Sequence, residues 1–270
     1  MNRRLNKTVS WEGTGLHSGS ACKVTLSPSD ELSLTLNGAR VPIKELKFEG
    51  SSRGTDLIFP DGAGAKKVRT VEHLLSAIGG LGLWGTNIEV EGTEIPALDG
   101  CSETFARKLL ESSEENEPVV KPLEIHSPVC CAGAGGAFIT AAPAEKFSVT
   151  YIIKYENNLI GTSLYDYEDG GDYIKEISRA RTFALEKDIK KLMQNGMALG
   201  GSLENAILVG ETEIQTNGGL RYADEFARHK VLDLIGDLAL LGRPVCAKIV
   251  AIRAGHLPHL QFVEKLRRLS

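Results

Sequence analysis

The sequence predicts an α+β fold made of two similar halves, each a β-sheet packed by helices on one face. Three observations lead there. Segments that alternate apolar and polar residues stand beside segments of helical period in both halves. An acidic run closed by proline, Glu111-Ser-Ser-Glu-Glu-Asn-Glu-Pro118, marks a boundary near 112–121, so the expected domains are 1–115 and 116–270. Finally, Glu72-His-Leu-Leu-Ser-Ala-Ile-Gly79 is echoed 157 residues later by His229-Lys-Val-Leu-Asp-Leu-Ile-Gly236. The echo is only eight residues long, but a plan used twice would explain it.

In the first half, Lys23-Val-Thr-Leu26 and Leu32-Ser-Leu-Thr-Leu36 read as strands, and Asn37-Gly38 supplies a hairpin turn. Val71, Leu74, Leu75 and Ile78 recur at helical spacing, which predicts a helix with Thr70 as N-cap and Gly79-Gly80 as its stop. Asn87-Ile-Glu-Val-Glu91 returns to alternation. Phe105, Ala106, Leu109 and Leu110 then form one side of a helix with Ser102 at its N-cap. The second half repeats this grammar. A hairpin over 123–142 turns at Gly133–Gly136, and Val149, Tyr151 and Ile153 alternate after it. A short helix follows at about 185–195, then a strand at 206–209 and a long helix from about Asp224 to Leu241. A strand at 248–252 leads to a last helix with Pro258 at its first position.

With 42% hydrophobic and 24% charged residues in 270, disordered, collagen-like and coiled-coil classes drop out. Thirty-one basic against 35 acidic residues leave a net charge of −4, which removes the electrostatic motive for a nucleic-acid partner. Five cysteines without a C-x-x-C pair point to reduced thiols in the cytoplasm. Residues 1–13 lack the apolar core of a signal peptide. The longest uncharged stretch, 125–144, holds Pro128 and three glycines and reads as a hairpin rather than a transmembrane segment. A soluble cytoplasmic chain is therefore expected, and, with nothing pointing to an oligomer, a monomer.

Chemistry concentrates in a few combinations. On a helix, His229 and Asp233 sit one turn apart on one face, Asp237 follows, and Gly236 leaves that face without bulk. Phe226, Val231, Leu232, Leu234, Ile235 and Leu238 make this helix apolar nearly all round, so its ionisable groups must be paired or bound to metal. An imidazole and a carboxylate so spaced suit Zn²⁺. Glu72-His73 opens another helix. There His73 could supply a further ligand with Glu72 beside a water molecule, or Glu72 could merely favour the positive helix end. Gly255-His256 lies between a strand and a helix, a common place for site residues. Arg179-Ala-Arg-Thr182-Phe183 precedes the short helix, and Gly200-Gly201-Ser202 follows it. Leu185, Ile189, Leu192 and Met193 in between fill a core or line a groove for an acyl chain; the pattern leaves both open.

Taken in order, these segments resemble one family, the zinc-dependent UDP-3-O-acyl-N-acetylglucosamine deacetylases. The matching motifs are Gly13-Thr-Gly-Leu-His-Ser-Gly19, Arg69-Thr-Val-Glu-His-Leu74, Glu94-Ile-Pro-Ala-Leu-Asp-Gly100, Ser178-Arg-Ala-Arg-Thr-Phe183, Leu199-Gly-Gly-Ser202, Leu220-Arg-Tyr222, the helix Phe226–Leu238 and Gly255-His256. The resemblance implies two similar α+β domains with mainly antiparallel sheets and an active site between them. It implies Zn²⁺ held by His73, His229 and Asp233, with Glu72 as general base. His256, supported by Asp237, would protonate the leaving amine, and Thr182 would donate to the oxyanion. Lys230 would bind substrate, and a βαβ insert after Phe183, with Leu192, Gly201 and Ser202, would form the acyl-chain passage. The implied reaction is hydrolysis of the N-acetyl group of UDP-3-O-acyl-N-acetylglucosamine, the committed step of lipid A biosynthesis.

The chain departs from the family in two places, one of them the 50–69 region, where the family has a small β insert and the match is loose. Three and five positions after His256, the family usually carries asparagine and lysine, and here stand His259 and Gln261. Arg253 is the candidate to replace the lost cation at the nucleotide phosphates, and no family role reaches His259. Two other readings stay open: a zinc amidohydrolase of another N-acyl substrate, and a nucleotide-sugar binding protein with structural zinc.

Overall fold

The computed structural model describes residues 2–51, 53–61 and 64–269. The first half contains a five-stranded sheet in the order Val9–Thr14, Ala21–Pro28, Thr86–Glu91, Ser33–Leu36, Ala39–Pro42. The second half contains the same arrangement: Val129–Ala132, Phe138–Pro143, Val245–Ile252, Ser148–Lys154, Thr162–Glu168. In each, two hairpins form first and a late strand enters between them. That strand pairs antiparallel with one hairpin and parallel with the other. Leu123–Glu124 adds a short parallel pairing to the second sheet. The sheets are thus mainly antiparallel, as expected.

Period-two burial places each sheet. Along Val245–Ile252, residues 245, 247, 249 and 251 are buried while the intervening ones are not. Of the five helices, α1 (Glu72–Leu81), α2 (Glu103–Glu111), α4 (Glu225–Leu238) and α5 (His256–Arg267) pack on the buried faces, while α3 (Glu186–Gln194) belongs to an insert. The central late strand of each sheet is preceded by one long helix, α1 or α4, and followed by another, α2 or α5. The echo at 72–79 and 229–236 falls on α1 and α4, so the short sequence match coincides with a repeated topology. Among the described residues no helix is long and apolar enough to cross a membrane.

Each half carries an insert between its second hairpin and its first long helix. In the first it is a three-stranded antiparallel sheet, Lys47–Ser51, Gly54–Asp61 and Gly64–Val68. In the second, Phe183–Leu185 and Ile207–Val209 run parallel with α3 between them, and Ile214–Gln215 pairs antiparallel. This second insert is the βαβ unit anticipated after Phe183.

Four details of the helix ends differ from the sequence reading. Gly79-Gly80 does not stop α1, which runs to Leu81 and ends at Gly82 with φ +69°. A side chain at Gly80 would collide with the Tyr173 ring, and one at Gly79 would lie 3.5 Å from Ile235 of α4 and from Ala239 just after that helix. These glycines serve helix contact, not termination. Thr70 does not cap α1 either. It has φ +55°, an uncommon conformation for a branched residue, and its hydroxyl donates to Glu94 Oε1 at 2.8 Å. Ser102 likewise donates to the His73 carbonyl at 2.6 Å instead of capping α2. The last helix begins at His256, two residues before Pro258.

The decisive contact lies between α1 and α4. At Gly236 the α4 backbone is so close to the first residue of α1 that a Cβ would collide with the Glu72 carbonyl. Gly236→Ala should therefore be destabilising, although alanine is better by about 1 kcal/mol in an unconstrained helix. Overpacking of this kind typically costs about 1–3 kcal/mol, and denaturant unfolding of the variant measures it. A gain in stability would show spare room between the helices.

The start of α1 is held by a buried carboxylate. Glu94, fully buried, accepts from the backbone N–H groups of His17 (2.8 Å) and Ser18 (2.7 Å) as well as from Thr70. Burial by itself would raise its pKa, but these bonds hold the carboxyl below its usual value. Its contribution to stability is therefore present above the unfolded pKa of about 4.3 and disappears as pH falls through the lower folded value. The stability difference between wild type and Glu94→Gln should be large at pH 7 and shrink below about pH 4. A pH-independent difference would contradict this.

Candidate active site

The contact between α1 and α4 sets two histidines face to edge. The His73 and His229 rings have centroids 5.1 Å apart at an interplanar angle of 84°. One turn along α4, Asp233 points into the same space. Its Oδ1 lies 3.3 Å from His229 Nε2 and 3.8 Å from His73 Nε2. All three residues are buried, and their ligand atoms lie within 4.8 Å of one another.

This trio is not satisfied by the protein alone. Asp233 Oδ1 is buried without a hydrogen-bond partner among the described residues, a costly state for a carboxylate oxygen. Its other oxygen accepts from Lys230 Nζ at 2.8 Å. Burial alone would raise Asp233, but His229, Lys230 and His256 hold it well below the usual carboxylate range. Burial, reinforced by the neighbouring His229, pushes the His73 imidazole down to about 3. His229 is lowered by burial too, and its Nδ1 lies 3.1 Å from the Ala180 carbonyl. A proton on Nδ1 serves that bond and turns the Nε2 lone pair toward Asp233. Two neutral imidazoles and one anionic oxygen, one of its lone pairs unused, form a donor set that fits a divalent cation.

Acid–base groups flank the trio. Glu72 at the start of α1 accepts from the Thr55 N–H at 3.0 Å. A Cβ at Gly54 would lie only 3.0 Å from Glu72 Oε1. Burial drives Glu72 up to about 8, with His256 opposing the shift. His256 Nε2 lies 3.8 Å from Glu72 Oε1 and 3.6 Å from Asp233 Oδ2. Its Nδ1 meets Asp237 Oδ2 at 2.8 Å. Burial would lower this imidazole, yet Asp237 and Asp233 raise it to about 9. Such paired, environment-separated groups are the usual raw material of general acid–base chemistry.

These residues line a cavity of about 270 Å³, with Thr182, Phe183 and Lys230 among its walls as the sequence suggested. Phe183 stacks edge-on against Phe226, with centroids 4.8 Å apart, and the Lys230 ammonium stands 5.4 Å from the Phe183 ring. Asp237 sits behind His256, fully buried. Other predicted residues lie elsewhere. Leu192 is buried on α3 but outside the cavity wall, and Arg253 is exposed at the end of its strand with φ +50°. Gly201 and Ser202 are exposed, while the adjacent Leu199 and Gly200 donate backbone hydrogen bonds to His17 and Leu16. That loop clasps the Gly13–Gly19 motif of the first half.

Leu185, one of the residues read as core or acyl groove, lines the cavity, and so do Arg53, Tyr155 and Asp188, which had not been singled out in the sequence. Arg53 of the first insert and Asp188 of α3 are joined at 2.6 Å across its mouth. Thr55 was also missed, and its hydroxyl donates to Asp237 Oδ1 at 2.6 Å. The first insert carries no residue spacing that marks a site, so only the folded pairing reveals these roles. A larger cavity of about 340 Å³ lies at the other ends of α1 and α4, between Trp84, Phe147, Ile235 and Leu238, and no histidine lines it.

If the trio binds a cation, zinc at about 100 times its Kd should raise wild-type stability by about 2.7 kcal/mol. Asp233→Ala should abolish most of that gain and lower the metal retained after desalting. Unchanged metal content would remove Asp233 from the ligand set.

Comparison with known proteins points to one family. The family model described as UDP-3-O-acyl N-acetylglycosamine deacetylase matches residues 2–268. The chain is 35% identical to the UDP-3-O-acyl-N-acetylglucosamine deacetylase of Myxococcus xanthus, with 98% of this chain and 85% of the relative aligned. It is 38% identical to the protein of that name from Anaeromyxobacter dehalogenans, over 98% of this chain and 86% of the relative. The corresponding protein of Campylobacter hominis is 36% identical, over 93% and 86%.

Proposed function

The chain belongs to the UDP-3-O-acyl N-acetylglycosamine deacetylase family, and from that premise we propose that it hydrolyses the N-acetyl group of UDP-3-O-acyl-N-acetylglucosamine. The products are acetate and the free 2-amine of the acylated UDP-sugar, a step of lipid A biosynthesis. The observation that carries this reading is the convergence of His73, His229 and Asp233 on one unpartnered carboxylate oxygen, with Glu72 and His256 beside it in a single cavity.

We assign Zn²⁺ to the trio, since two imidazoles and a carboxylate are the ligands of many catalytic zinc sites. Three protein donors facing a cavity, rather than four closing a shell, favour hydrolysis over a structural ion. When bound, the cation supplies positive charge that acidifies water and polarises the amide carbonyl. The same charge favours the ionised form of Glu72, which burial alone opposes. Glu72 then takes a proton on its carboxylate from the attacking water. As the C–N bond breaks, His256 gives its Nε2 proton to the leaving amine nitrogen, and Asp237 balances the imidazolium through Nδ1. Thr182, in the cavity wall, donates its hydroxyl to the carbonyl oxygen as negative charge develops there.

Lys230 anchors the substrate's anionic part while it holds Asp233 in place. Phe183 offers an apolar surface at the entrance to the second insert, which receives the 3-O-acyl chain; Leu192 packs that insert from within. Arg53 supplies a cation at the mouth, where Arg253 does not reach. The two domains are residues 1–115 and 116–270, each built on one of the two matching five-stranded arrangements. Five free cysteines and a nucleotide-sugar substrate support a cytoplasmic location.

Acetate release from the acylated UDP-sugar by the zinc-loaded protein tests the reaction. Glu72→Gln should retain zinc and lose about 10²–10⁴-fold in kcat. A Glu72→Gln enzyme of near wild-type turnover would remove the general-base role. Equal turnover of a substrate lacking the 3-O-acyl chain would favour a general N-acyl amidohydrolase.

A further inference from the structure

His259 belongs to none of the steps above, yet it is fully buried and tied into the acid side of the site. Its Nδ1 lies 2.8 Å from Asp237 Oδ2, the same oxygen that His256 Nδ1 approaches at 2.8 Å. Its Nε2 lies 2.8 Å from the Tyr151 hydroxyl, on a tyrosine that is also fully buried. Thr55 completes the shell around Asp237 by donating to Oδ1.

The protons in this network have only one consistent arrangement. Asp237 is held below its usual range, against burial, by His256 and the bonds from both histidines, so it is an acceptor at both oxygens. Each histidine therefore carries its proton on Nδ1. The Tyr151 hydroxyl, kept in its O–H form by burial, makes no other hydrogen bond among the described residues. Its proton goes to His259 Nε2, which must present a lone pair. His259 is thus neutral and in the Nδ1–H form, the direction in which burial also pushes it. The cluster of Asp237, His256 and His259 has the spacing of a metal site, but each of its ligand atoms already has a partner at hydrogen-bond distance. It differs in this from the trio around Asp233 Oδ1.

We propose that His259 is a positioning residue for the deacetylation: locked in its Nδ1–H form by Tyr151, it fixes Asp237 so that His256 aims Nε2 at the leaving nitrogen. The inference rests on the assignment of His256 as general acid. A side-chain amide at this position would also offer an N–H to Asp237. In this chain the imidazole makes that donation and extends the chain of bonds to the sheet residue Tyr151. Removing the donor would leave Asp237 Oδ2 with one bond fewer and free the carboxylate to turn away from His256.

Nitrogen-15 NMR of the histidine rings in the zinc-loaded wild-type protein should show His259 as the neutral Nδ1–H tautomer, and Tyr151→Phe, which frees Nε2 to take a proton while Asp237 keeps the one on Nδ1, should shift it toward the imidazolium. An Nε2–H or imidazolium signal for wild-type His259 at neutral pH would overturn the proposal. In acetate-release assays, His259→Leu should lose about 10–100-fold in kcat, a range typical of orienting partners, with KM changed by less than about threefold. His259→Asn should recover to within about threefold of wild type. Equal losses in the Leu and Asn variants, or unchanged kcat in His259→Leu, would refute it. So would a second bound zinc that disappears in His259→Asn. Should His259→Leu fail to fold, Tyr151→Phe carries the kinetic test: a several-fold fall in kcat supports the proposal and wild-type kcat contradicts it. A wild-type protein without deacetylase turnover would overturn the reaction itself, and the tautomer measurement would still decide whether the bonding arrangement is correct.

Discussion

The close crossing of α1 and α4 is the constraint on which the site depends. His73 and His229 come from opposite halves of the chain, and neither helix alone supplies more than two of the three metal-site donors. Their rings meet at 5.1 Å only because Gly236 lets the α4 backbone approach the first turn of α1. The same approach removes water from Asp233, Asp237, Glu72 and His256 together. Burial of so many ionisable groups would oppose folding if they were scattered. Here they are collected in one place and balance one another.

That balance has a definite form. Lys230 answers Asp233, and His256 answers Asp237, at 2.8 Å in both cases. Glu72 is the remaining carboxyl, and burial drives it toward its neutral form. With Glu72 neutral these charges balance, and Asp233 Oδ1 is left without a hydrogen-bond partner among the described residues. A divalent cation beside that oxygen adds positive charge which ionisation of Glu72 partly offsets.

Much of this was legible in the sequence because it follows from periodicity. The His229–Asp233–Asp237 face is fixed by helical spacing, and the apolar surroundings on α4 declare that the helix is buried. The alternating strands and the echo at 72 and 229 reveal the doubled plan. What stayed hidden depends on contacts between distant segments. Gly79-Gly80 has the local signature of a helix end, and only the Tyr173 ring and α4 explain why the helix continues through it. Thr70 looks like a cap until Glu94 claims its hydroxyl. Thr55 and Arg53 lie in a hairpin whose local pattern carries no chemistry. His259 looks like a lone histidine on a helix, because its partners Tyr151 and Asp237 stand on other elements.

The doubled scaffold also explains how an asymmetric site arises from a symmetric fold. At echoed positions, Glu72 faces His229, His73 faces Lys230, and Ser76 faces Asp233 in the alignment of α1 with α4. The apolar positions and the glycine at 79 or 236 keep their character, since both helices must pack on a sheet and on each other. The polar positions are free of that demand and have taken different chemistry. The inserts follow the same logic: both leave the fold at the same topological point, before the long helix, so both reach over the same cavity. One is a hairpin sheet and the other a βαβ unit, yet they meet where Arg53 touches Asp188 at 2.6 Å. A repeated architecture thus delivers two unlike walls to a single site, as an amide flanked by a nucleotide and an acyl chain requires.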